Sequence, residues 1–292
     1  MNFSLGIDIG GTSVKAAAVV GGVVRMTDRK AYGSGVVGLD DVRAAIGAAC
    51  LPMVSRYGPP ATVGLCLPGL FDRGTRAVVR SVNLPSLVGI GVDALVVGAL
   101  PMAPAPSVFT DAHAAAFDGW TLEATEGPEG SGRWFMLSLG TGVGASVLDD
   151  GEPLRVSGES PGHFGQLDVS GADGLAAPIG PDGGRGSLEG YIGVPAICRR
   201  HGCSVAEAVE RVLLDDAALG ALVRALRIAH AIYRPEHVRL LGGVGIRLGS
   251  WGERLRVGVD DGLSSIAKRW SLGFGSTDFH AACGAGKLGM RG

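Results

Sequence analysis

Short apolar runs separated by glycine turns dominate the first part of the chain. Residues 3–9 and 14–20 are apolar and prone to form strands, and Gly21-Gly22 turns the chain into a third apolar stretch at 23–26. Apolar runs of this length bounded by glycine pairs are typical of strands joined by hairpin turns. The pattern predicts a strand, a glycine turn and a second strand that continues into a third.

The same arrangement returns about 130 residues further along the chain, which indicates one supersecondary unit used twice. Trp134 to Leu139 predicts a strand, residues 140–144 predict a glycine turn, and Ala145 to Leu148 predicts the return strand. A second turn at 150–152 then follows, as Gly21-Gly22 follows the first hairpin.

Elsewhere the apolar positions take the spacing of helices. Helices are predicted, in chain order, at 39–56, 111–120, 194–213, 216–232 and 251–267. Short buried strands are predicted at 62–67 and 237–241. The four glycines and two prolines of 178–187 predict an irregular loop.

The composition is that of a folded chain without a strong charge. Apolar residues make up 46% of the 292 positions and charged residues 18%, which is enough to bury a core and excludes wholesale disorder. The formal net charge of -2 gives no electrostatic basis for binding nucleic acid. Glycine is the outlier, with 50 residues and no Gly-X-Y period, which indicates many tight turns and close backbone approaches.

The five cysteines are scattered and odd in number, which argues against a disulfide scaffold. Cys198 and Cys203 flank a segment with His201 and could form half of a metal site, but no second cysteine pair completes it, and ordinary packing is the alternative. The first residues lack the basic segment of a signal peptide, and the apolar stretch 94–108 is broken by prolines and too short to span a bilayer. We therefore expect a cytoplasmic protein that does not bind a membrane.

Residues 6–12, Gly-Ile-Asp-Ile-Gly-Gly-Thr, form the strongest local motif. Glycines after a strand let backbone N–H groups approach a phosphate, and the hydroxyl of Thr12 adds a donor, so Gly10, Gly11 and Thr12 are candidate phosphate ligands. Asp8 stands where a carboxylate can hold Mg²⁺, directly or through water. A plain hairpin turn is the alternative, because glycine pairs are common there.

Two further glycine-rich turns follow predicted strands. Gly140, Thr141 and Gly142 offer a second phosphate cradle of the same physical type. The turn after the strand at 237–241 could admit a flat purine against its backbone, and its candidate adenosine contacts are Gly242, Gly243 and Gly245. A turn that enters a helix is the alternative for this segment.

The motifs together resemble one known family. In chain order they are Asp8-x-Gly10-Gly11-Thr12, Asn83-Leu84, Asp111-Ala112, Leu139-Gly140-Thr141-Gly142 and Leu241-Gly242-Gly243, an order similar to that of the ROK sugar kinases of the actin/hexokinase/Hsp70-like superfamily. The resemblance implies an α/β protein with two ribonuclease-H-like lobes, the actin-like ATPase fold, and a cleft between the lobes. The expected lobes are 1–112, with the first phosphate turn and part of the sugar site, and 113–292, with the second phosphate turn and the adenosine site. The C-terminal helix is expected to pack back on the first lobe.

The resemblance assigns the role of general base to Asp111. The family's stretch usually reads Asn-Asp-Ala-Asn, and here it reads Thr110-Asp111-Ala112-His113. A carboxylate at this point would take the proton from the sugar hydroxyl that attacks the γ-phosphate. A helix N-cap is the alternative role. The resemblance also places Gly69, Asn83 and Thr110 against the sugar.

The sequence departs from the family pattern at the zinc motif. The family usually has Gly-Glu-x-Gly-His followed by Cys-x-Cys-Gly-x-x-Gly-Cys-x-Glu, in which the histidine and the cysteines hold a structural zinc. Here the corresponding positions are Gln166, Gly180, Asp182 and Ser187. Because a zinc site needs about four nitrogen or sulfur ligands, no structural zinc is expected.

Three residues of this region are expected to contact the sugar by the same resemblance: His163, Gln166 and Glu189. Glu189 is retained where the family places a carboxylate near the anomeric hydroxyl. His163 replaces a sugar-binding glutamate, which favours altered sugar specificity over lost function. An ordinary loop histidine is the alternative for His163.

The resemblance thus implies a kinase that uses ATP and Mg²⁺ to phosphorylate a primary hydroxyl, at the 6-position of a hexose or of a modified or amino hexose. The expected partners are the sugar and a second copy of the chain in a homodimer, with neither nucleic acid nor membrane. Two alternatives stay open. One is a non-catalytic, sugar-sensing ROK-like protein, and the other is a different small-molecule kinase or ATPase of the superfamily.

Overall fold

The computed structural model describes residues 2–33, 35–81, 83–124, 131–156, 161–171, 174–265, 267 and 269–291. It divides into two compact units, each with its own hydrophobic core. Unit 1 is Met1–Asp118 with Phe279–Gly292, and unit 2 is Gly119–Asp278. The chain therefore leaves unit 1 after residue 118, whereas the boundary expected from the sequence lies between 112 and 113.

The strands are β1 Ser4–Ile9, β2 Ser13–Val20, β3 Val23–Ala31, β4 Thr62–Cys66, β5 Leu70–Asp72, β6 Ala77–Arg80, β7 Ser107–Phe109, β8 Arg133–Leu139, β9 Val143–Asp149, β10 Glu152–Pro153, β11 His237–Leu241 and β12 Ser271–Phe274. The helices are α1 Leu39–Tyr57, α2 Val92–Ala99, α3 Asp111–Ala124, α4 Leu188–Ile192, α5 Val194–His201, α6 Val205–Arg211, α7 Asp216–Tyr233, α8 Gly242–Arg247, α9 Gly252–Asp260 and α10 His280–Gly289. Among the described residues, none of these helices combines the length and the hydropathy needed to cross a bilayer.

Each unit is built on a five-stranded mixed sheet, and the two sheets have the same strand order. In unit 1 the order is β3-β2-β1-β4-β7, and in unit 2 it is β10-β9-β8-β11-β12. The first three strands of each unit pair antiparallel, and the remaining pairs are parallel. The predicted use of one supersecondary unit twice is confirmed.

The second hairpin turn of each unit requires a left-handed backbone at two positions in succession. Gly21 and Gly22 have φ of 58° and 80°, and Asp150 and Gly151 have φ of 50° and 83°. Two-residue hairpin turns that match the twist of the strands need positive φ at both positions, which glycine and aspartate tolerate. These turns are therefore fixed by local sequence.

Two predicted helices differ from the structure. The predicted helix 194–213 is divided into α5 and α6, because Gly202 takes a left-handed conformation (φ 59°) and Ser204 begins a new helix with Glu207 in a capping box. The predicted helix 251–267 ends at Asp260, whose carboxylate accepts a hydrogen bond from the Trp270 indole at 2.8 Å. Residue 266 of that prediction lies outside the described residues.

Helix α10 packs on the sheet of unit 1 with no side chain between the two backbones. A methyl group on Gly6 in β1 would overlap the carbonyl oxygen of Ala282, and one on Gly64 in β4 would overlap that of Ala285. Likewise, a methyl group on Gly284 would overlap the carbonyl oxygen of Ala114 in α3. Glycine is required at these positions because only a residue without Cβ permits the approach.

Replacing Gly64 with alanine is expected to destabilise the protein strongly. The added methyl would meet a backbone oxygen that no side-chain rotation can move, so the cost should reach the upper end of overpacking, about 3 kcal/mol, and lower Tm by about 6 °C or more. Gly33 is the matched control, because a Cβ there meets nothing within 4 Å. Gly33→Ala should change Tm by less than about 2 °C. Equal Tm values for the two variants in thermal melts would contradict the packing described.

Candidate functional site

The first glycine turn, residues 10–12, connects β1 to β2 and is held by hydrogen bonds to its own backbone and to one tyrosine. The Gly10 N–H donates to the carbonyl of Ser13 at 2.9 Å. The Tyr32 hydroxyl donates to the carbonyl of Gly10 at 3.0 Å, and the Tyr32 N–H donates to that of Thr12 at 3.1 Å. Burial, followed by the charge of Asp8, raises the pKa of Tyr32, so the phenol stays protonated as a donor. The turn is thus rigidly held, and Thr12 is exposed.

Lys15 joins the candidate site, although the sequence pattern did not point to it. Asp8 and Lys15 are opposite each other in the β1–β2 pairing, and Lys15 Nζ lies 3.9 Å from Asp8 Oδ2. Both side chains are partly exposed. The signal in the sequence was a single lysine inside a strand otherwise made of serine, alanine and valine, where a charge costs free energy unless it has a role or a partner.

Asp111 begins α3, and its Oδ1 accepts a hydrogen bond from the Ala112 N–H at 2.7 Å. Asp111 is exposed as a whole residue, and it is desolvation of its carboxyl group that raises the pKa of that group. The Ala112 N–H and the charge of Lys15 oppose this shift. The cap of the helix comes from Thr110, whose hydroxyl accepts from the His113 N–H at 3.3 Å. Asp111 is therefore not needed as the N-cap and is available for chemistry.

Two of the predicted sugar contacts are Asn83, which packs on the first turn, and Gly69, which packs on the strand just before Asn83. A Cβ on Gly11 would lie 3.1 Å from the Cβ of Asn83, so the Asn83 side chain packs against the first turn. Gly69 has φ of 114°, and a Cβ there would overlap the carbonyl oxygen of Arg80 just before the Asn83 segment. Asp8, Lys15 and Asn83 thus lie beside the first glycine turn within unit 1.

The second glycine turn, residues 140–142, is braced by Glu189. The Gly140 N–H donates to the Gly142 carbonyl at 3.0 Å. Glu189, on α4, accepts from the Val143 N–H at 3.0 Å through Oε2, and a Cβ on Gly142 would lie 3.3 Å from the same oxygen. The predicted sugar contact Glu189 therefore also fixes the backbone at the end of the second turn.

His163 and Gln166 begin and end one short turn. His163 is exposed and precedes the single 3₁₀ turn Phe164–Gln166. A Cβ on Gly165 would lie 3.2 Å from Glu189 Oε2, so this turn approaches the Glu189 carboxylate closely. The Gln166 side chain points to the predicted loop at 178–187, where its Nε2 donates to Asp182 Oδ2 at 3.0 Å.

The positions that correspond to the family's zinc ligands do not fit a zinc ion. The Ser187 hydroxyl is occupied as the N-cap of α4, where it accepts from the Gly190 N–H at 3.1 Å. The amide of Gln166 is bonded to Asp182, and Gly180 has no side chain. No cluster of three or more histidine, cysteine or acidic residues that could hold a metal occurs in the part of the chain that the structure describes. One hydrogen bond, from Gln166 to Asp182, thus joins two of these four positions.

The third glycine turn, residues 242–245, leads directly into a helix, which is one of the two interpretations that the sequence allowed. Gly242 begins α8 with φ of 76°, and a Cβ there would overlap the carbonyl oxygen of Leu139 at the end of β8. A Cβ on Gly243 would meet nothing within 4 Å, whereas one on Gly245 would lie 2.8 Å from the Leu240 carbonyl carbon. Gly243 therefore leaves open space beside the backbone of this turn.

The amino-acid sequence matches one protein-family model and one curated protein. A sequence model described as "ROK family" matches residues 4–244. A polyphosphate glucokinase of Mycobacterium leprae is 28% identical over 172 residues, which are 58% of this chain and 48% of that protein, so the chain spans about half the length of this curated relative.

Solved structures match over almost the whole chain. A ROK family glucokinase from Streptomyces griseus, crystallised with glucose and AMPPNP, has a TM-score of 0.73 at 20% identity and covers 100% of both chains. A ROK hexokinase from Thermus thermophilus has a TM-score of 0.75 at 20% identity and covers 98% of both chains. These matches confirm that the chain has the α/β fold of such kinases, and the family model confirms the predicted resemblance to the ROK proteins.

Purified protein is expected to contain less than about 0.1 equivalent of zinc per chain, because the four positions lack the nitrogen and sulfur ligands that zinc prefers. A metal chelator should leave Tm unchanged, since hydrogen bonds hold the loop. Elemental analysis and thermal melts with and without chelator provide the test. One zinc per chain, removed only with unfolding, would refute the assignment.

Proposed function

The chain belongs to the ROK family, and we propose that it is an ATP-dependent sugar kinase that phosphorylates the 6-hydroxyl of a hexose or of a modified or amino hexose. The observation that carries the proposal is in unit 1. Two carboxylates, Asp8 and Asp111, lie within the electrostatic reach of one lysine, Lys15, beside a rigid glycine turn. Phosphoryl transfer needs a base for the acceptor, a cation for the transferred group and a backbone that holds phosphate.

Asp111 is the proposed general base. Its carboxylate would take the proton of the sugar hydroxyl as the hydroxyl oxygen attacks the terminal phosphorus and the bond from that phosphorus to the bridging oxygen breaks. Because the pKa of Asp111 is raised by desolvation, its carboxylate is a stronger base than that of an ordinary aspartate, while Lys15 favours the ionised form. Thr110 caps the helix and so holds Asp111 at its first turn.

Asp8 and Lys15 are the proposed electrostatic partners of the phosphates. Asp8 offers the hard carboxylate oxygens that suit Mg²⁺, directly or through water, and Mg²⁺ when bound neutralises charge on the phosphates. Lys15 lies on the neighbouring strand and adds a fixed positive charge in the same place. Backbone and hydroxyl donors would come from Gly10, Gly11 and Thr12.

Unit 2 would bind the other parts of the phosphoryl donor ATP, namely further phosphate oxygens and the adenosine. Gly140, Thr141 and Gly142 form the second phosphate turn, and the contact between Glu189 and Val143 N–H fixes its end. The adenosine is assigned to Gly242, Gly243 and Gly245 by the family resemblance. The open space beside Gly243 supports this assignment, because a flat base needs a backbone surface without a side chain.

The sugar is assigned to Gly69, Asn83, Thr110, His163, Gln166 and Glu189. His163 is exposed and begins the turn that approaches Glu189, which supports a role in contacting a ligand. An imidazole in its neutral form accepts one hydrogen bond and donates one, whereas the glutamate usual in the family only accepts. The hydroxyl pattern that suits this site should therefore differ from the family's usual one. The Gln166 side chain donates a hydrogen bond to Asp182, so its contribution would be to hold the 3₁₀ turn that follows His163.

A panel of hexoses tests the proposal, each incubated with Mg²⁺ and either ATP or polyphosphate. Polyphosphate is included because it appears in the name of the M. leprae relative. Mass spectrometry and phosphorus NMR would identify a sugar carrying phosphate on its primary carbon. Calorimetric binding of a sugar without any product would instead favour the sensor, and turnover of a non-sugar acceptor would favour another kinase of the superfamily.

Asp111→Asn is expected to lower kcat by at least about 10²-fold, the usual effect of removing a general base, with KM for the donor nearly unchanged. Asp40→Asn is the matched control, because Asp40 also lies in the first turn of a unit 1 helix but its side chain is 97% exposed and lies 3.5 Å from Arg43. The control should retain kcat within about twofold. Steady-state kinetics that gave Asp111→Asn a near-normal kcat would disprove the assignment of the base.

A further inference from the structure

The end of α5 carries two cysteines at the positions that a helix-terminating motif brings together. Gly202 is left-handed, and its N–H donates to the carbonyl of Cys198. The Cys203 N–H donates to the same carbonyl at 3.2 Å. This six-residue closure around a left-handed glycine is the Schellman motif, in which the side chains three residues before the helix end and two after it commonly make an apolar contact. Here both members of that contact are cysteines.

The backbone closure brings Cys198 and Cys203 to neighbouring positions at the end of the helix. Both side chains pack on the hydrophobic core of unit 2 while keeping partial exposure. Burial, followed by the charge of Cys203, raises the pKa of Cys198. The other three cysteines, Cys50, Cys66 and Cys283, are buried. Among the residues that the structure describes, the pair is not part of any cluster of three or more histidine, cysteine or acidic side chains that could hold a metal.

We propose that Cys198 and Cys203 form a reversible disulfide when a two-electron oxidant such as hydrogen peroxide reaches them. One thiolate attacks a peroxide oxygen, which breaks the O–O bond and gives a sulfenic acid and hydroxide. The second thiol then attacks the sulfenic sulfur, a sulfur–sulfur bond forms, and water leaves. In total two thiols and one peroxide give one disulfide and two waters. The sulfurs lose two electrons and the peroxide gains them.

The ring that this disulfide closes contains Arg200, which connects α5 to two other helices. The Arg200 guanidinium donates to the carbonyls of Gly190 and Tyr191 at the end of α4, and its Nε donates to Asp215 at 2.9 Å. Asp215 in turn caps α7 by accepting from the Ala218 N–H at 3.0 Å. The disulfide would therefore stop the end of α5 from unwinding and hold Arg200 against α4, the helix that carries Glu189.

Digestion with trypsin can detect this disulfide directly, because the enzyme cleaves after Arg199 and Arg200, which lie between the two cysteines. The full-length protein is treated with hydrogen peroxide, free thiols are alkylated, and the protein is digested with trypsin without reductant. Cleavage yields peptides 186–199 and 201–211, each with one cysteine, and only a disulfide holds them together. We expect the linked pair, with two alkylation sites lost per chain, and its separation by dithiothreitol.

Variants separate the geometry of the motif from simple thiol reactivity. Gly202→Ala strains the left-handed position and should slow formation of the linked pair at least about fivefold, whereas Gly202→Asn, which tolerates that conformation, should retain it. Cys198→Ser should leave Cys203 to be alkylated or oxidised alone. The proposal is overturned if peroxide gives sulfinic acids on the separate peptides, if the cysteines link different chains, or if both stay fully reduced while Cys50 reacts.

Discussion

The structure depends on the direct contact between helix α10 and the sheet of unit 1. Gly6 and Gly64 leave no space for a side chain under the helix, so the backbones of β1, β4 and α10 are held at van der Waals distance. Gly284 makes the same kind of contact with α3. Because Asp8 follows Gly6 in β1 and Asp111 lies one turn before Ala114 in α3, this packing fixes the spacing of the two carboxylates proposed for catalysis. A protein that must place two carboxylates to within fractions of an ångström benefits from rigid supports of this type.

Local chemistry in the sequence predicted the repeated hairpins, because their turns require glycine or aspartate at left-handed positions and their strands are apolar on both faces. It failed where distant contacts decide the structure. The apolar pattern did not locate helix α10, whose three glycines give it low helix propensity, and only the family resemblance led us to expect a C-terminal helix on the first lobe. Lys15 was missed as a site residue because only the register of β1 with β2 brings it beside Asp8. Helix α5 was extended too far, since its apolar spacing continues past the Gly202 stop.

In the loop at 178–187, side-chain hydrogen bonds occupy positions to which the family resemblance would assign zinc ligands. Ser187 caps α4, and the Gln166–Asp182 hydrogen bond connects two of the positions where relatives have zinc ligands. Glu189 is thereby held with its carboxylate on the backbone after the second glycine turn. The family's role for Glu189 as a sugar ligand and the bracing contact seen here are compatible, because a carboxylate has two oxygens with several acceptor positions.

The role of Asp111 as the base is tested most directly by the pH dependence of kcat/KM for the sugar, measured at saturating phosphoryl donor. The base must be ionised, and desolvation raises the pKa of Asp111, so kcat/KM should fall tenfold per pH unit below an apparent pKa that lies above the ordinary aspartate value of about 3.9. In Lys15→Met this acidic limb should move to still higher pH, because the lysine charge opposes the rise. An acidic limb at the ordinary aspartate value, or one that Lys15→Met leaves in place, would contradict the assignment.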